Sequence, residues 1–317
     1  MKAVDILERI NQLPKPQSGE FSLTQAEDSG RYYYGKNAVC DIVFVIKADT
    51  DRVKRLSQTT KDLRLDTNAS NTFVVDGKSI VFKVHILTCS TQDAVKRLAF
   101  IRLFNSLVQD DDGVGENDIV SLFNALLSLF AGRLQCPKNE IQGLFAELYT
   151  MLYFESKGVD LYQYWQSEDR RTHDFCITNT KRVEVKSTSK DIRIHRFRHE
   201  QLLTDLHDVK VISMFTKSVD KGLSLFDLIQ KIRESSIVKY RVMMRIEQSV
   251  AGFSEEHLKD IQFDEKLLES TIAIYEACNI PHFNEKQPNG VFNAEYDSDL
   301  TNAKTFGEDK FISWLKS

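Results

Sequence analysis

The chain has 317 residues, 42% of them hydrophobic, with 42 Lys and Arg against 46 Asp and Glu. That is enough apolar material for a sizeable core in two or three structural units. The formal net charge of -4 gives no chain-wide nucleic-acid footprint, so any basic surface must be local. No run of about 20 apolar residues occurs, and no membrane span is expected. The start, Met1-Lys2-Ala3-Val4-Asp5, carries an early acid and no signal-like apolar run. The cysteines (Cys40, Cys89, Cys136, Cys176, Cys278) are scattered, odd in number and without C-x-x-C spacing. Reduced thiols in a cytoplasmic protein are the simplest account, and neither a zinc site nor a disulfide frame is supported.

Residues 1–16 read as a short helix closed by Pro14 and Pro16. Residues 20–87 read as strands, rich in β-branched and aromatic side chains at 32–34, 41–46, 72–75 and 79–84. Asp76-Gly77 signals a hairpin between the last two. Tyr32-Tyr33-Tyr34 is read as a half-buried strand in preference to a stacking surface for bases. Residues 92–108 have helical spacing and run into the acidic, glycine-containing stretch 109–116, the best linker in the chain. Its Gly-x-Gly follows no strand and is no dinucleotide fingerprint. Residues 119–130 form an apolar helix with Gly132 as a C-cap. Further on, 209–215 reads as a strand, 224–234 as a helix and 259–277 as mostly helix. Residues 240–246 fit strand or helix equally, and 278–300 looks like strands joined by turns. This divides the chain into a β-rich unit (1–110), a central unit (111–220) and an α/β unit (221–317).

The chemistry concentrates in residues 140–186. Ile141, Leu144, Phe145, Leu148, Met151 and Leu152 fall at helical spacing after Pro137, with Glu147 at the edge of the apolar stripe. In the short strand 173–177, Asp174 and Cys176 share a face. In the strand 182–188, Glu184 and Lys186 share one. With Thr178-Asn179-Thr180 as the hairpin loop, Phe175 faces Val183 and Asp174 faces Glu184. Like charges directly opposite each other destabilise a sheet, so a cation between them is implied. A hard ion such as Mg²⁺ takes oxygen ligands and needs only one or two protein carboxylates. It can polarise a phosphoryl oxygen and acidify an attacking water, while Lys186 orients or deprotonates that water or stabilises charge on phosphate. The plainer reading is a salt-bridge cluster on a sheet face, and Glu147 alone would be a solvated helix residue. Between Lys181 and Glu200 stand seven Lys/Arg against three acids, among them Lys190, Arg193, Arg196 and Arg198. These are candidate phosphate contacts for DNA, weighed against a solvated mixed-charge strand or loop. His195 and His199 are read as surface histidines.

Glu147, Asp174 and Glu184-Val185-Lys186, with Gly143-Leu144-Phe145-Ala146 before the first, Trp165, His173, Phe175 and Glu200-Gln201-Leu202, resemble the PD-(D/E)XK nuclease superfamily. The nearer likeness is to bacterial members encoded beside restriction-modification and phage-defence genes. The resemblance implies an α+β fold with a restriction-endonuclease-like αβββαβ core and a mixed central sheet. It implies a metal held by Asp174, Glu184 and the Val185 carbonyl with Glu147 assisting, Lys186 serving the water and Gln201 near the site. His173 stands where the superfamily's name has proline. The expected activity is Mg²⁺-dependent cleavage of DNA, with Mn²⁺ able to substitute, in a restriction-like defence system. Its partners would be DNA, other defence proteins and a second copy of the chain for two-strand cuts. The rival is a nuclease fold without chemistry that serves as a DNA-binding or assembly subunit. A metal-independent hydrolase ranks low, because no Gly-x-Ser-x-Gly elbow is present.

Overall fold

The computed structural model describes residues 3–27, 30–48, 55–75, 77–108, 118–131, 138–166, 172–205, 207–235, 237–238, 240–250, 253–285 and 287–317. The acidic stretch 109–116, Gly132 and Pro137 lie outside them. The chain forms two compact units, Met1–Leu134 with Lys239–Gly252, and Gln135–Val238 with Phe253–Ser317. The three-part division made from sequence therefore differs on two counts. The helix expected at 119–130 completes the core of the N-terminal strands, and most of the chain beyond 220 folds with the central unit.

In the first unit, α1 (Ala3–Gln12) buries Ile6 and Ile10, one turn apart. Six strands follow: β1 (Glu20–Gln25), β2 (Tyr32–Asn37), β3 (Ile42–Lys47), β4 (Leu56–Thr59), β5 (Leu63–Val75) and β6 (Lys78–Cys89). They pair in the order β1-β2-β3-β6-β5-β4, and β1 also pairs in parallel with β5. Five strands thus close on themselves, with β4 added outside β5. Closure removes sheet edges. It also gives every strand an inner face, filled by Leu23, Tyr33, Val43, Val45, Phe73, Val75, Val84 and Ile86. The alternate residues Tyr32, Tyr34, Ile42, Phe44 and Ile46 pack in the core shared with α1, α2 (Ala94–Val108) and α3 (Asp118–Ala131). Buried on both faces, β3 reads as the continuous apolar run Ile-Val-Phe-Val-Ile. The three tyrosines are fully buried rather than half-buried, which removes them as a surface for bases. Gly35 allows the close crossing of β1 and β2, because a Cβ there would stand 2.1 Å from the Ser22 carbonyl oxygen. Val75 pairs with Lys78 across the two-residue loop, where Gly77 has φ +78°; Asp76 lies outside the described residues.

The second unit contains, in order, α4 (Lys138–Ser156), β7 (Phe175–Cys176), β8 (Lys181–Thr188), β9 (Ile194–Arg198), α5 (His199–Leu202) and β10 (Asp208–Phe215). This is the αβββαβ succession. β11 (Ser218–Ser224) and α6 (Leu225–Glu234) follow. Next comes α7 (Tyr240–Ser249), the helix that belongs to the first unit, then α8 (Glu255–Asp260), β12 (Gln262–Phe263), α9 (Glu265–Thr271), β13 (Ala273–Glu276), β14 (Glu295–Asp299) and α10 (Glu308–Lys316). The main sheet has the order β13-β10-β8-β7. It is mixed, because β8 and β10 run parallel while β7–β8 and β10–β13 are antiparallel. α4 packs on β8.

Two sequence expectations change here. Residues 259–277 are not one helix: Asp264 caps a new one by accepting from the Lys266 and Leu267 amides, and Ile274 and Tyr275 then pair with β10. In the tail, β14 is the single regular strand among the described residues of 278–300. The undecided stretch 240–246 is helical, with Val242, Met243 and Ile246 buried. The four described cysteines are free. No helix among the described residues is long and apolar enough to cross a membrane.

Candidate active site

The β7–β8 hairpin has the register that the sequence pattern predicts, with Phe175 opposite Val183 and Cys176 opposite Arg182. Phe175 and Val183 are fully buried. Continued one residue, that register sets Asp174 across from Glu184. β7 begins only at Phe175, so it offers no ladder partner to the Val185 amide of β8. The Asp174 carboxylate accepts from that N–H instead, at 2.6 Å.

Glu184 is 2% exposed, deep for a carboxylate. Its Oε1 accepts from Gln201 Nε2 at 2.6 Å and from Lys186 Nζ at 2.7 Å. Its Oε2, equally buried, has no hydrogen-bond partner among the described residues. Lys186 also donates to Gln201 Oε1 at 3.1 Å and lies 5.0 Å from the centre of the Phe197 ring. The Gln201 amide is fully used. Its oxygen also accepts from the Arg198 N–H, which fixes the start of α5, and its nitrogen also donates to the Thr172 carbonyl. His173 is buried beside it, with Nε2 3.2 Å from the Gln201 carbonyl; burial lowers its pKa. α5 is thereby tied both to the approach to Asp174 and to the Glu184–Lys186 pair.

Glu147 reaches the cluster from α4 and accepts from the Trp165 indole at 2.7 Å. Burial pushes its pKa up to about 7, the Trp165 bond opposes the rise, and the Glu184 charge adds to it. Asp174 is held well above the usual carboxylate range, first by burial, then by the charges of Glu184 and Glu147. For Lys186, burial works against the charge, but Glu184 and Asp174 outweigh it and the ammonium is held more firmly than in water. Three carboxylates therefore share a confined space with one ammonium.

As the side chains lie, no trio of His, Cys, Asp and Glu among the described residues encloses a metal ion. The donor chemistry nevertheless fits a hard cation. Glu147, Asp174 and Glu184 are oxygen donors whose charges oppose one another, and a buried Glu184 oxygen lacks the partner that such an atom requires.

The basic stretch is rearranged by the fold. β9 leaves the main sheet and pairs with β14, so its residues alternate inward and outward. His195, Phe197 and His199 are buried, which corrects their reading as surface histidines. His195 shares a hydrogen bond with Ser213 Oγ at 2.8 Å, and burial pushes its pKa down to about 4. The outward Arg196 and Arg198 meet Asp297 at 3.1 Å and Glu295 at 3.7 Å on β14. Arg193 turns into the fold and donates to Ser213 and to the Thr271 carbonyl. Lys181 donates to the Trp314 carbonyl and to Ser317. Lys190 is exposed. Of the surplus along the sequence, Arg196 and Arg198 are thus paired with acids that enter a hundred residues later, while Arg193 and Lys181 are held by carbonyl and hydroxyl oxygens.

Sequence reasoning saw Trp165 only as a shared motif residue and did not see its bond to Glu147. Trp165 lies between elements, where no periodicity marks a function.

A helix bearing an acid, followed by a hairpin whose second strand presents Glu and Lys on one face beside an aspartate, defines the PD-(D/E)XK class of nuclease-like folds. The chain belongs to the family described as "Putative PD-(D/E)XK family member, (DUF4420)", whose model matches residues 19–301. No curated protein and no solved structure matches the chain.

Proposed function

We propose that the second unit is a divalent-metal-dependent deoxyribonuclease, with Mg²⁺ as its ion and Mn²⁺ able to substitute, acting in a restriction-like defence system. The observation that supports this best is Glu184, a buried carboxylate with one oxygen unpartnered, in register with Asp174 and two residues from a lysine. Asp174, Glu184 and the Val185 carbonyl would hold the ion, with Glu147 assisting. Once bound, the ion would polarise a phosphoryl oxygen, neutralise charge around phosphorus and acidify the attacking water.

The chain's own groups do the rest. Lys186, kept protonated by its acidic neighbours, supplies a donor and a fixed positive charge toward the scissile phosphate. Gln201 holds both Lys186 and Glu184 Oε1, so the charged pair cannot drift apart. Asp174 is anchored by the Val185 amide, which fixes one of its oxygens and presents the other. Lys190 is the exposed candidate for a backbone phosphate.

The test is supercoiled plasmid incubated with purified protein and Mg²⁺ or Mn²⁺. Cleavage is expected, falling at least a hundredfold in Asp174→Ala and Lys186→Ala, as for loss of a group that stabilises developing charge. Cutting by both variants at the wild-type rate would sink the proposal. Metal-independent DNA binding without cutting would favour the non-catalytic subunit instead.

A further inference from the structure

Between α4 and β7 the chain runs through residues 162–166, a single helical turn followed by an extended pair. Tyr162 and Trp165 are 1% and 0% exposed. Both use their polar tips on α4: the Tyr162 hydroxyl donates to Glu155 Oε2 at 2.6 Å, and the Trp165 indole donates to Glu147 Oε2 at 2.7 Å. The same short segment also grips the free edge of the main sheet. Trp165 bridges to Phe175, and the Gln166 N–H donates to the Asp174 carbonyl at 2.7 Å. One segment therefore holds the helix acid by its side chain and the strand acid by its backbone.

We propose that Trp165 is a positioning residue: by taking Oε2 of Glu147 it fixes the carboxylate plane and leaves Oε1 as the oxygen that Glu147 presents to a cation beside Asp174 and Glu184. The inference rests on the metal reading above and adds the residue that orients one of its acids. Partners that orient a liganding group characteristically change metal affinity by about tenfold or more when removed. A buried tryptophan whose indole N–H bonds a carboxylate of the cluster is such a partner, since a buried N–H needs an acceptor and apolar packing alone would not require one.

The readout is thermal unfolding as a function of Mg²⁺ concentration, because an ion that binds the folded state raises its melting temperature by mass action. Trp165→Phe keeps an aromatic side chain, removes the donor and gives up part of the packing. Trp165→Phe and Glu147→Gln are each expected to raise the Mg²⁺ midpoint about tenfold. The double variant should be no worse than Glu147→Gln alone, because the indole acts through that carboxylate. A purely structural tryptophan would give additive losses, and those, or an unchanged midpoint in Trp165→Phe, would overturn the proposal. Should Trp165→Phe fail to fold, Trp314→Phe leaves Trp165 as the one tryptophan of the two in the chain. Its fluorescence should then change with Mg²⁺ at the wild-type melting midpoint and lose that response in a Glu147→Gln background. A flat signal overturns the role. A wild-type protein whose melting ignores Mg²⁺ ends the metal reading and this inference together. A responsive wild type with an unaltered Trp165→Phe ends only the inference.

Discussion

Glu147, Asp174 and Glu184 are costly to the folded state, and that cost has a pH signature. Glu147 ionises near pH 7 in the folded protein against an ordinary value of 4.5, with burial as the first cause. A carboxyl group whose pKa is raised by folding binds its proton more tightly in the native state. The associated stability is present below the unfolded value and is lost as pH rises through the folded one. Wild-type protein should therefore lose stability between pH 4.5 and about 7 relative to Glu147→Gln, by about 3 kcal/mol at most. Urea unfolding of both proteins across that range measures it. A constant difference between them would show that Glu147 does not carry the strain. At this scale the sequence was informative wherever alternation applied. Glu184 and Lys186 could be assigned to one strand face because two residues is the strand period, and the register of the hairpin set Asp174 across from Glu184. Nothing comparable marked Trp165, whose place depends on a loop.

At the scale of elements, a strand's internal pattern was legible and its partner was not. The β7–β8 register followed from loop length and from Phe175 and Val183. β9 offered Ile-His-Arg-Phe-Arg, an alternation whose inner face could be assigned only once β14 was seen to pair with it. That pairing separates arginines that look equivalent in sequence. Arg193 is half-buried and satisfies carbonyls of Ser213 and Thr271, whereas Arg196 is exposed and opposite Asp297. Removing a buried donor leaves its acceptors unsatisfied, at about 1–3 kcal/mol. Arg193→Ala should accordingly lower the unfolding free energy obtained from urea titration by about 1–3 kcal/mol, and Arg196→Ala should leave it unchanged. Equal effects would contradict the assignment of Arg193, just before β9, to the interior and of Arg196, within β9, to the outer face. Similarly, 259–277 reads in sequence as mostly helix. The Asp264 cap and the pairing of Ile274 and Tyr275 with β10 decide otherwise, a tertiary override of local preference.

For the whole molecule, the family match at 19–301 spans strands of the first unit as well as the nuclease-like core of the second. Contiguity in sequence was the wrong guide to the first unit's boundary, because its core takes in a helix from beyond residue 238. α7 packs on α2 and α3, and Val242, Met243, Ile246 and Val250 are buried. A chain of residues 1–134 would expose the apolar surfaces that those residues cover in the barrel unit. Burying a side chain of that size contributes about 1.5–3 kcal/mol, and a domain's whole stability is about 5–15 kcal/mol. Loss of the helix should therefore bring such a fragment close to its unfolding threshold and make it bind a hydrophobic dye. Joining residues 239–252 to its end through a flexible Gly/Ser linker should restore cooperative unfolding and abolish dye binding. If the fragment 1–134 unfolds at the same urea concentration with and without the added helix, α7 is an accessory and the first unit is complete without it.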